Sequence, residues 1–332
     1  MPLLLLACFA LLAPAILCLV AAFLWFIRPD LVVKWGIWYG FHSTGMKNHR
    51  IRGKKYEYVY GERGTADPNN TSLLFIHGFS ASKEMWGPIV KRLPNYLHII
   101  AIDLPGHGDS ETPGKDDQVS TEEYVDNIHE FVELIGFTKK PFHMIGTSLG
   151  GIIAAIYAIH HVKNIERLTL ICPGTRTPET CDFMKGMLEG KGSLVPTTVE
   201  EMKYMLDSCY FNKDAIPMYK QILKGSLILR EAKNPFFRRL LHSIVEDMKD
   251  DSKFNKFEVE SRQITCPVQL IWGKEDQVIH TSGVEYLQKL LPNIQKIDII
   301  DKCGHSVGIE RAGKTVKLIL MFRDELANKK EN

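Results

Sequence analysis

The stretch Phe142-His-Met-Ile-Gly-Thr-Ser148-Leu-Gly-Gly-Ile-Ile-Ala decides how the rest of the chain is interpreted. An apolar run stops at Gly-x-Ser-x-Gly and a second apolar run begins at once, which predicts a strand, a sharp turn and a helix. In that setting Gly146, Ser148 and Gly150 match the nucleophile elbow, a strained turn whose glycines let backbone segments pass close to the serine. The five-residue pattern also recurs at ordinary turns, so the assignment depends on finding a base, an acid and oxyanion donors elsewhere.

Strand and helix patterns alternate along most of the 332 residues. Short, continuously apolar runs such as 167–172 are typical of parallel strands covered on both faces. Ser120 and Glu123 have the spacing of a capping box that opens a helix. The alternation predicts an α/β fold with a mostly parallel sheet flanked by helices. The predicted strands are 56–60, 72–77, 98–103, the run before Ser148, 167–172, 267–272 and 295–300. The predicted helices are 83–93, 120–135, the run after Ser148 to 161, 282–291 and 314–326.

The strand pattern stops between residues 174 and 265. Amphipathic helices are predicted there at 179–188, 199–209, 216–229 and 235–248, and Thr198 with Glu201 forms a second capping box. We therefore predict a helical lid at 174–265, between core segments 54–173 and 266–328, with a polar tail at 329–332. Apolar residues at such spacing usually form a core, although methionine also suits an irregular surface that faces an acyl chain. They include Met184, Met187, Met202, Met205, Leu206 and Met218.

A base and an acid for Ser148 follow later in the chain. A serine hydroxyl needs a base within hydrogen-bond reach, and the base needs an acid that fixes its tautomer. Asp276 follows the strand at 267–272 and His305 follows the last strand, so the three residues can meet only through the sheet. The chain order of serine, aspartate and histidine is one of the known orders of such a triad.

Other residues compete for both roles. His77 and His107 precede Ser148, and His143 lies within the strand that leads to it, so His305 is the preferred base. Asp276 is the preferred acid, because two of its three competitors stand too near His305 in sequence to reach it from an adjacent loop. The competing acids are Glu275, Asp298 and Asp301, of which the last two are those near His305.

Acyl transfer also requires backbone donors for an oxyanion. Leu149 follows Ser148 at the start of a helix, where its amide is free and the helix dipole favours negative charge. Phe79, in the loop after the first core strand, is the predicted second donor, and His77 then has a structural role in that loop. No His, Cys and acid cluster has metal-binding spacing and no phosphate loop is present, so neither a metal nor a cofactor is expected.

The first 27 residues contain no charged side chain. At about 1.5 Å per residue a helix of this length exceeds the hydrocarbon core of roughly 30 Å. A cleaved signal peptide is the alternative, and Ala13-Pro14-Ala15 offers small residues for cleavage. No basic n-region is present, however, and the apolar run continues to Ile27. The sequence therefore predicts a retained transmembrane anchor at 1–28.

The segment 29–53 that follows is basic and aromatic. The excess of basic residues predicts that the catalytic domain lies in the cytosol. The endoplasmic reticulum, endosomes and lysosomes are the candidate membranes, and the sequence does not decide between them. Residues 31–41 are predicted to lie along the membrane surface. Overlapping glycosylation patterns at Asn69 and Asn70 would be usable only on a lumenal side. The aromatic residues that suit a belt at the membrane surface are Trp25, Trp35, Trp38 and Tyr39. The basic residues that follow the apolar run are Arg28, Lys34, Lys47, Arg50, Arg52, Lys54 and Lys55.

Composition excludes several classes of protein. With 45% hydrophobic and 24% charged residues the chain is globular, and a net charge of +2 without a basic aromatic face argues against nucleic-acid binding. Seven cysteines without regular spacing argue against a disulfide framework and favour reduced thiols.

Five motifs in order resemble the α/β-hydrolase superfamily over about residues 54–326, and more narrowly its membrane-anchored monoacylglycerol lipases. The resemblance implies hydrolysis of monoacylglycerols, including 2-arachidonoylglycerol, and of lysophospholipids. It carries over the triad Ser148, Asp276 and His305 and the oxyanion donors Phe79 and Leu149. Related acyltransferases have His-x-x-x-x-Asp, whereas Glu310 stands at that position here, so acyltransfer to a lipid is not assigned. The motifs are His77-Gly-Phe-Ser80, Asp103-Leu-Pro-Gly-His-Gly-Asp-Ser110, Gly146-Thr-Ser-Leu-Gly150, Gly273-Lys-Glu-Asp276 and Cys303-Gly-His-Ser306.

The predicted partners are a lipid ester and the bilayer, with protein partners left unknown. A hydrolase of soluble esters or of carbon–carbon bonds is an alternative that the apolar amino terminus disfavours. A non-catalytic lipid-binding scaffold on the same fold is a second alternative, which the complete triad disfavours. Epoxide hydrolases and dehalogenases are excluded, because they need an acid at position 148.

Overall fold

An eight-stranded sheet lies at the centre of the protein, whose computed structural model describes residues 2–189, 194–213 and 219–331. The strand order is β1-β2-β4-β3-β5-β6-β7-β8, and the β1–β2 and β2–β4 pairs are antiparallel while the others are parallel. The predicted mostly parallel sheet is therefore confirmed. The strands are β1 (Lys47–Arg52), β2 (Glu57–Arg63), β3 (Leu73–Ile76), β4 (Ile99–Asp103), β5 (Phe142–Thr147), β6 (Ile165–Ile171), β7 (Val268–Gly273) and β8 (Ile294–Ile300).

Helices cover both faces of the sheet. Adjacent residues of a strand point to opposite faces. On β5, Phe142 contacts Tyr157, whereas the next residue, His143, contacts Phe322. The helices of the described residues are α1 (Pro2–Phe26), α2 (Pro29–His42), α3 (Gly87–Val90), α4 (Thr121–Leu134), α5 (Leu149–His160), α6 (Asp182–Leu188), α7 (Val199–Cys209), α8 (Lys220–Glu231), α9 (Asn234–Lys249), α10 (Asp251–Glu260), α11 (Gly283–Leu290), α12 (Val307–Glu310) and α13 (Ala312–Glu331).

Two regions of the core differ from the sequence prediction. The predicted helix at 83–93 is instead a 3-10 turn, Lys83–Trp86, followed by the single turn α3, because Gly87-Pro88 interrupts the helical hydrogen bonding. Strand β1 was not predicted. Its residues are mostly basic and largely exposed, as suits an edge strand, so it carries no apolar signal.

The described part of 174–265 contains helices α6 to α10, as the helical pattern predicted. The capping box at Thr198 and Glu201 is present at the start of α7. The predicted helix at 216–229 appears as α8, and its predicted first residues, with Met218, lie outside the described residues. Helix α10 was not predicted. The use of this region as a lid stays a prediction.

The amino terminus forms two helices that meet at a sharp bend. Within the described residues no single helix is both long and apolar enough to cross a bilayer, but Leu12–Phe26 and Pro29–His42 meet that measure as a pair bent by 94°. Helix α2 buries Pro29, Asp30 and Phe41 against the domain, and it contains the segment predicted to be interfacial. The transmembrane anchor at 1–28 stays a prediction.

Helix α2 packs directly on α8. A Cβ atom placed on Gly225 of α8 would come within 2.5 Å of the carbonyl oxygen of Pro29, at the start of α2. Only glycine permits this approach of the two backbones. The amino-terminal helix pair is thereby attached to the helical region between β6 and β7.

Substitution of Gly225 by alanine tests this contact. We expect Gly225→Ala to lower the free energy of unfolding by about 1–3 kcal/mol, because the added methyl group must separate α2 from α8. The matched control is Gly186→Ala in α6, where a Cβ atom meets nothing within 4 Å. Its expected effect is neutral or a gain of up to about 1 kcal/mol from helix propensity. Equal denaturation curves for the two variants would contradict the close approach.

Candidate active site

Ser148 lies at a sharp turn between β5 and α5. Its backbone is in an uncommon conformation, with φ 53° and ψ −122°. The amide of Ser148 donates to the carbonyl of Ile171 at 3.0 Å, and its carbonyl accepts from the amide of Gly174 at 2.8 Å. A non-glycine residue at positive φ is strained and persists only where its surroundings hold it. The predicted strand, turn and helix are therefore observed.

The glycines around Ser148 are explained by close backbone approaches. A Cβ atom at Gly146 would lie 2.2 Å from the carbonyl oxygen of Gly150, and one at Gly150 would lie 2.4 Å from the carbonyl oxygens of Ile76 and His77. At Gly78 it would lie 3.1 Å from Cβ of Ser148. These approaches bring the loop after β3 against the serine turn.

Asp276 and His305, from the loops after β7 and β8, meet as predicted. The distance between His305 Nδ1 and Asp276 Oδ2 is 2.8 Å. The other carboxylate oxygen of Asp276 accepts from the amides of Val278 at 2.8 Å and Ile279 at 2.9 Å. The Asp276 side chain is fully buried and that of His305 is 11% exposed. A buried carboxylate held in this way can orient an imidazole and stabilise its protonated form.

The competing acids have other partners. Glu275 accepts from the amide of Cys303, Asp298 accepts from the Gln269 amide group, and Asp301 pairs with Lys274. Among the competing histidines, His77 accepts from the amide of Leu104 at Nε2 and lies 2.8 Å from the Gly78 carbonyl at Nδ1. This agrees with the structural role expected for His77. His107 is buried beside the Pro105 carbonyl and the ring of Phe236, and His143 is buried beside the Thr169 hydroxyl.

Two backbone amides beside Ser148 are available as donors. Leu149 is the first residue of α5, and Phe79 lies in the loop after β3. Within the described residues neither amide donates a hydrogen bond to another group of the chain. Both residues line the same cavity as Ser148. The arrangement can therefore hold a carbonyl oxygen beside the hydroxyl.

That cavity has a volume of about 170 Å³ and an apolar wall. Helices α5, α6, α9 and α10 contribute most of its lining. Met184 and Met187, two of the residues noted in the sequence, face it, whereas Met202 and Met205 belong to the buried core. An apolar chamber that ends at a serine suits an acyl chain. The remaining apolar lining is Ile152, Ile156, Leu194, Leu241, Ile244, Met248, Phe257, Val278 and Ile279.

A larger recess of about 750 Å³ lies at the opposite edge of the sheet, near the amino ends of β3, β5 and β6. The arginine side chains that line this recess already have hydrogen-bond partners within the protein. Arg167 bonds to Glu166 and to the carbonyl of Arg323, and Arg323 bonds to the carbonyl of Thr71. In open parallel sheets ligands bind at the carboxyl ends of the strands, so the smaller cavity at Ser148 is the candidate site.

Two groups of side chains in the described residues have possible metal-ligand atoms within 4.8 Å of one another. The first is Glu84, Asp103 and Asp109, and the second is Cys172, Asp276 and His305. In the first, Lys83 Nζ lies 2.8 Å from Glu84, 2.8 Å from Asp103 and 3.1 Å from Asp109, so an ammonium group already occupies the place of a cation. Burial opposes the charge of Lys83, but the carboxylates of Asp103 and Glu84 raise its pKa overall. The second group contains the Asp276 and His305 pair, which are bonded to each other.

Cys172, the third member of the second group, was missed by sequence reasoning. It follows β6 at φ 41° and is buried beside Asp276. Burial and the neighbouring Asp276 carboxylate raise the pKa of its thiol well above the ordinary value, so it is neutral. A neutral thiol is neither a nucleophile nor a good metal ligand. We assign neither group as a metal site, and the expectation of a metal-free, cofactor-free reaction stays a prediction.

Glu310 has a structural contact that its spacing from His305 did not reveal. Its carboxylate accepts from the amides of Gly304 at 2.9 Å, Phe211 at 3.0 Å and Asn212 at 3.2 Å. It therefore fixes the loop that carries His305 against the end of α7. Only the fold brings Phe211 there, so no local signal in the sequence identifies this role.

The chain is similar to known lipases over nearly its full length. A model of the alpha/beta hydrolase fold family matches residues 71–312. The chain is 37% identical over 329 residues to monoacylglycerol lipase ABHD6 of Homo sapiens, which covers 97% of this chain and 94% of that protein. It is 38% identical over 325 residues to monoacylglycerol lipase abhd6-A of Xenopus laevis, with 96% and 93% covered. A solved structure described as a membrane phospholipase A, a bacterial virulence factor, superimposes with a TM-score of 0.79 at 27% identity, with 96% of this chain and 98% of that chain covered.

The buried histidines around the site predict a loss of stability in acid. Burial lowers the pKa of His77 to about 4, below the ordinary 6.5. As the pH falls, His77 is therefore protonated near pH 6.5 in the unfolded chain but only near pH 4 in the folded chain. The stabilisation is complete above pH 6.5 and is lost as the pH falls toward 4. For His77 alone we expect the free energy of unfolding to drop by about 2 kcal/mol between pH 7 and pH 5.

Urea denaturation at both pH values measures this change. Burial also lowers the pKa of His107 and His143, which add to the effect with the same sign. His77→Gln should be less stable at pH 7 but show a shallower dependence on pH. The exposed His242 gives the control His242→Gln, which should keep the wild-type slope. The same slope in His77→Gln as in the wild type would contradict the assignment of a neutral His77.

Proposed function

The chain belongs to the α/β-hydrolase fold family, and on that premise we propose that it is a membrane-bound serine hydrolase that cleaves the ester bond of monoacylglycerols. The observation that carries this proposal is the buried hydrogen bond of 2.8 Å between His305 and Asp276, at the same sheet edge as an apolar cavity that contains Ser148. The curated relatives named monoacylglycerol lipase support the substrate class. The proposed substrates include 2-arachidonoylglycerol and, in addition, lysophospholipids.

In the proposed mechanism, the Ser148 hydroxyl attacks the ester carbonyl and its proton passes to His305. The amides of Phe79 and Leu149 donate to the carbonyl oxygen as it gains negative charge. His305 then gives the proton to the departing glycerol oxygen, and a fatty acyl ester remains on Ser148. A water molecule that loses its proton to His305 releases the fatty acid and restores the serine.

Residues 174–265 serve in this proposal as the lid over the acyl chain. Helices α6, α9 and α10 supply most of the apolar cavity wall outside the core. The wall contains methionines on α6 and α9, whose flexible side chains adapt to acyl chains of different shape. The core segments 54–173 and 266–328 then hold the catalytic groups, and 329–332 is a terminal tail.

Substitution of Ser148 by alanine tests the reaction. Ser148→Ala should lose labelling by a fluorophosphonate and lose hydrolysis of monoacylglycerol by a factor of about 10⁴ or more, because no hydroxyl remains to be acylated. Ser226→Ala is the control, since the Ser226 hydroxyl donates to the Ile222 carbonyl one turn earlier in α8. Fatty-acid release at the wild-type rate by Ser148→Ala would contradict the mechanism.

Helices α1 and α2 are proposed to bind the membrane in different ways. The apolar segment 1–28, which contains α1, is proposed to enter the bilayer as an anchor, and α2 to lie along the bilayer surface beyond the 94° bend. One side of α2 is buried against the domain, whereas large apolar side chains on the rest of the helix are exposed. Exposed apolar patches of this kind mark membrane or protein interfaces, and Trp and Tyr favour the headgroup region. The exposed side chains are Leu31, Trp35, Ile37, Trp38 and Tyr39.

The basic residues after the first helix place the catalytic domain in the cytosol in this proposal. Endoplasmic reticulum, endosomal and lysosomal membranes are all compatible with that orientation. An anchored enzyme meets its substrate at the surface into which the substrate partitions, which raises the frequency of encounter.

Tryptophan fluorescence tests the position of α2. In vesicles with lipids brominated along the acyl chain, we expect part of the emission to be quenched, and Trp38→Phe to reduce the quenched fraction because Trp38 lies in the interface. Trp86, which is 1% exposed in the core, gives the control Trp86→Phe with no loss of quenching. An unchanged quenched fraction in Trp38→Phe would contradict an in-plane α2.

A further inference from the structure

Arg230, near the end of α8, is a largely buried cation beside the loop that follows β3. Its Nη2 donates to the Ser80 hydroxyl at 2.8 Å and to the Leu194 carbonyl at 3.1 Å. Its Nε is buried without a hydrogen-bond partner, and within the described residues no carboxylate pairs with it. Burial lowers its pKa to about 10. A buried charge of this kind is costly, so a role beyond attachment of the helix is expected.

Ser80 is an unusual partner for such a group. Its φ is 52°, one of four positive values among the described non-glycine residues, and Ser148 is another. A left-handed serine costs about 1–2 kcal/mol, so contacts must hold it in place. Ser80 directly follows Phe79, whose amide is one of the two free donors at the site. A rigid peptide group joins the two residues, so a displacement of Ser80 also moves Phe79 and its N–H group.

A second contact joins Arg230 to the same loop. The guanidinium carbon lies 5.6 Å from the ring centre of Phe237 on α9, and that ring lies 5.8 Å from the ring of Phe79. The loop is thus held at two successive residues, through the Phe79 ring and through the Ser80 hydroxyl. Both contacts come from the helical region between β6 and β7.

We propose that Arg230 is a positioning residue for the oxyanion donors, because it fixes Ser80 in its left-handed conformation and so aims the Phe79 amide at the substrate carbonyl. The inference rests on the proposed serine hydrolase mechanism. Arg230 does not contact the reacting atoms. Its effect is on the alignment of a donor whose hydrogen bond strengthens as the carbonyl oxygen becomes negative.

The test compares kcat and KM for monoacylglycerol in mixed micelles among matched variants of the full chain. Arg230→Met should lower kcat by about 10–100-fold while KM changes by less than about 3-fold, since the affected hydrogen bond forms mainly in the transition state. Arg230→Lys, which keeps a donor and the charge, should recover most of the loss. Ser80→Ala removes only the acceptor and should lower kcat by a similar factor.

The double variant Arg230→Met with Ser80→Ala decides whether the two residues act together. Residues that act through one hydrogen bond are non-additive, so the double variant should be no slower than the slower single variant. Arg239→Met is the control. Arg239 also donates to backbone carbonyls, at Lys115 and Gly114, and its guanidinium carbon lies 5.8 Å from the ring of Phe236. Among the described residues it makes no hydrogen bond or ring contact with the loop after β3. Its kcat should stay within about 2-fold of the wild type.

Several results would overturn the proposal: a wild-type kcat in Arg230→Met, a loss that appears only in KM, or losses that multiply in the double variant. If Arg230→Met fails to fold, as its melting curve would reveal, Ser80→Ala alone decides through kcat. Failure of the proposed substrate is distinguishable, because the wild type would then release no fatty acid. In that case the rate of Ser148 labelling by a fluorophosphonate, which depends on the same oxyanion donors, measures the effect of the Arg230 substitutions directly.

Discussion

The site depends on the absence of side chains at Gly146 and Gly150. These two positions let the first turn of α5 approach the end of β3, and that approach sets the Leu149 amide beside the loop that carries Phe79. A methyl group at either position would meet backbone atoms, which cannot rotate away as a side chain can. Ser148 is held at a positive φ in the same turn, and its hydrogen bonds to the Ile171 carbonyl and the Gly174 amide offset the strain. The local geometry of Ser148 is thus set by closely packed backbone segments.

The loops around this turn are fixed by buried polar contacts. Asp103, at the end of β4, bonds through its carboxylate to the ammonium of Lys83 and to the amides of Lys83 and Asp109. A buried ion pair is not by itself a source of stability, but one whose remaining acceptors are satisfied by amides defines a single loop geometry. His77 adds a bridge between the Leu104 amide and the loop after β3. Donors held in this way need little reorganisation when charge develops on a substrate, which is the main requirement for stabilising an oxyanion.

Sequence patterns predicted the sheet, the serine turn and the meeting of Asp276 with His305, because each follows from a local rule: apolar runs form buried strands, glycines mark close approaches, and loops after parallel strands share one edge. Features set by tertiary contact were not predictable. Strand β1 has no apolar pattern in its sequence. The helix expected at 83–93 does not form as one helix, because Gly87-Pro88 interrupts it and Lys83 is buried against Asp103. Cys172, Glu310 and Arg230 come near the site only through the fold. The roles assigned to the triad and to the lid remain proposals.

Helix α8 connects two parts of the protein that sequence analysis treated separately. Gly225 contacts the start of α2, and Arg230, a little more than one helical turn further on, contacts Ser80. A rigid helix transmits a displacement at one of these points to the other, because neither contact has room to absorb it: one is backbone against backbone, and the other is a hydrogen bond to a strained residue. In the proposal that α2 rests on a bilayer, the membrane surface is therefore linked through α8 to the two proposed oxyanion donors. In the proposed arrangement the anchor does more than confine the enzyme, since the contact between α2 and α8 also bears on the loop that carries Phe79.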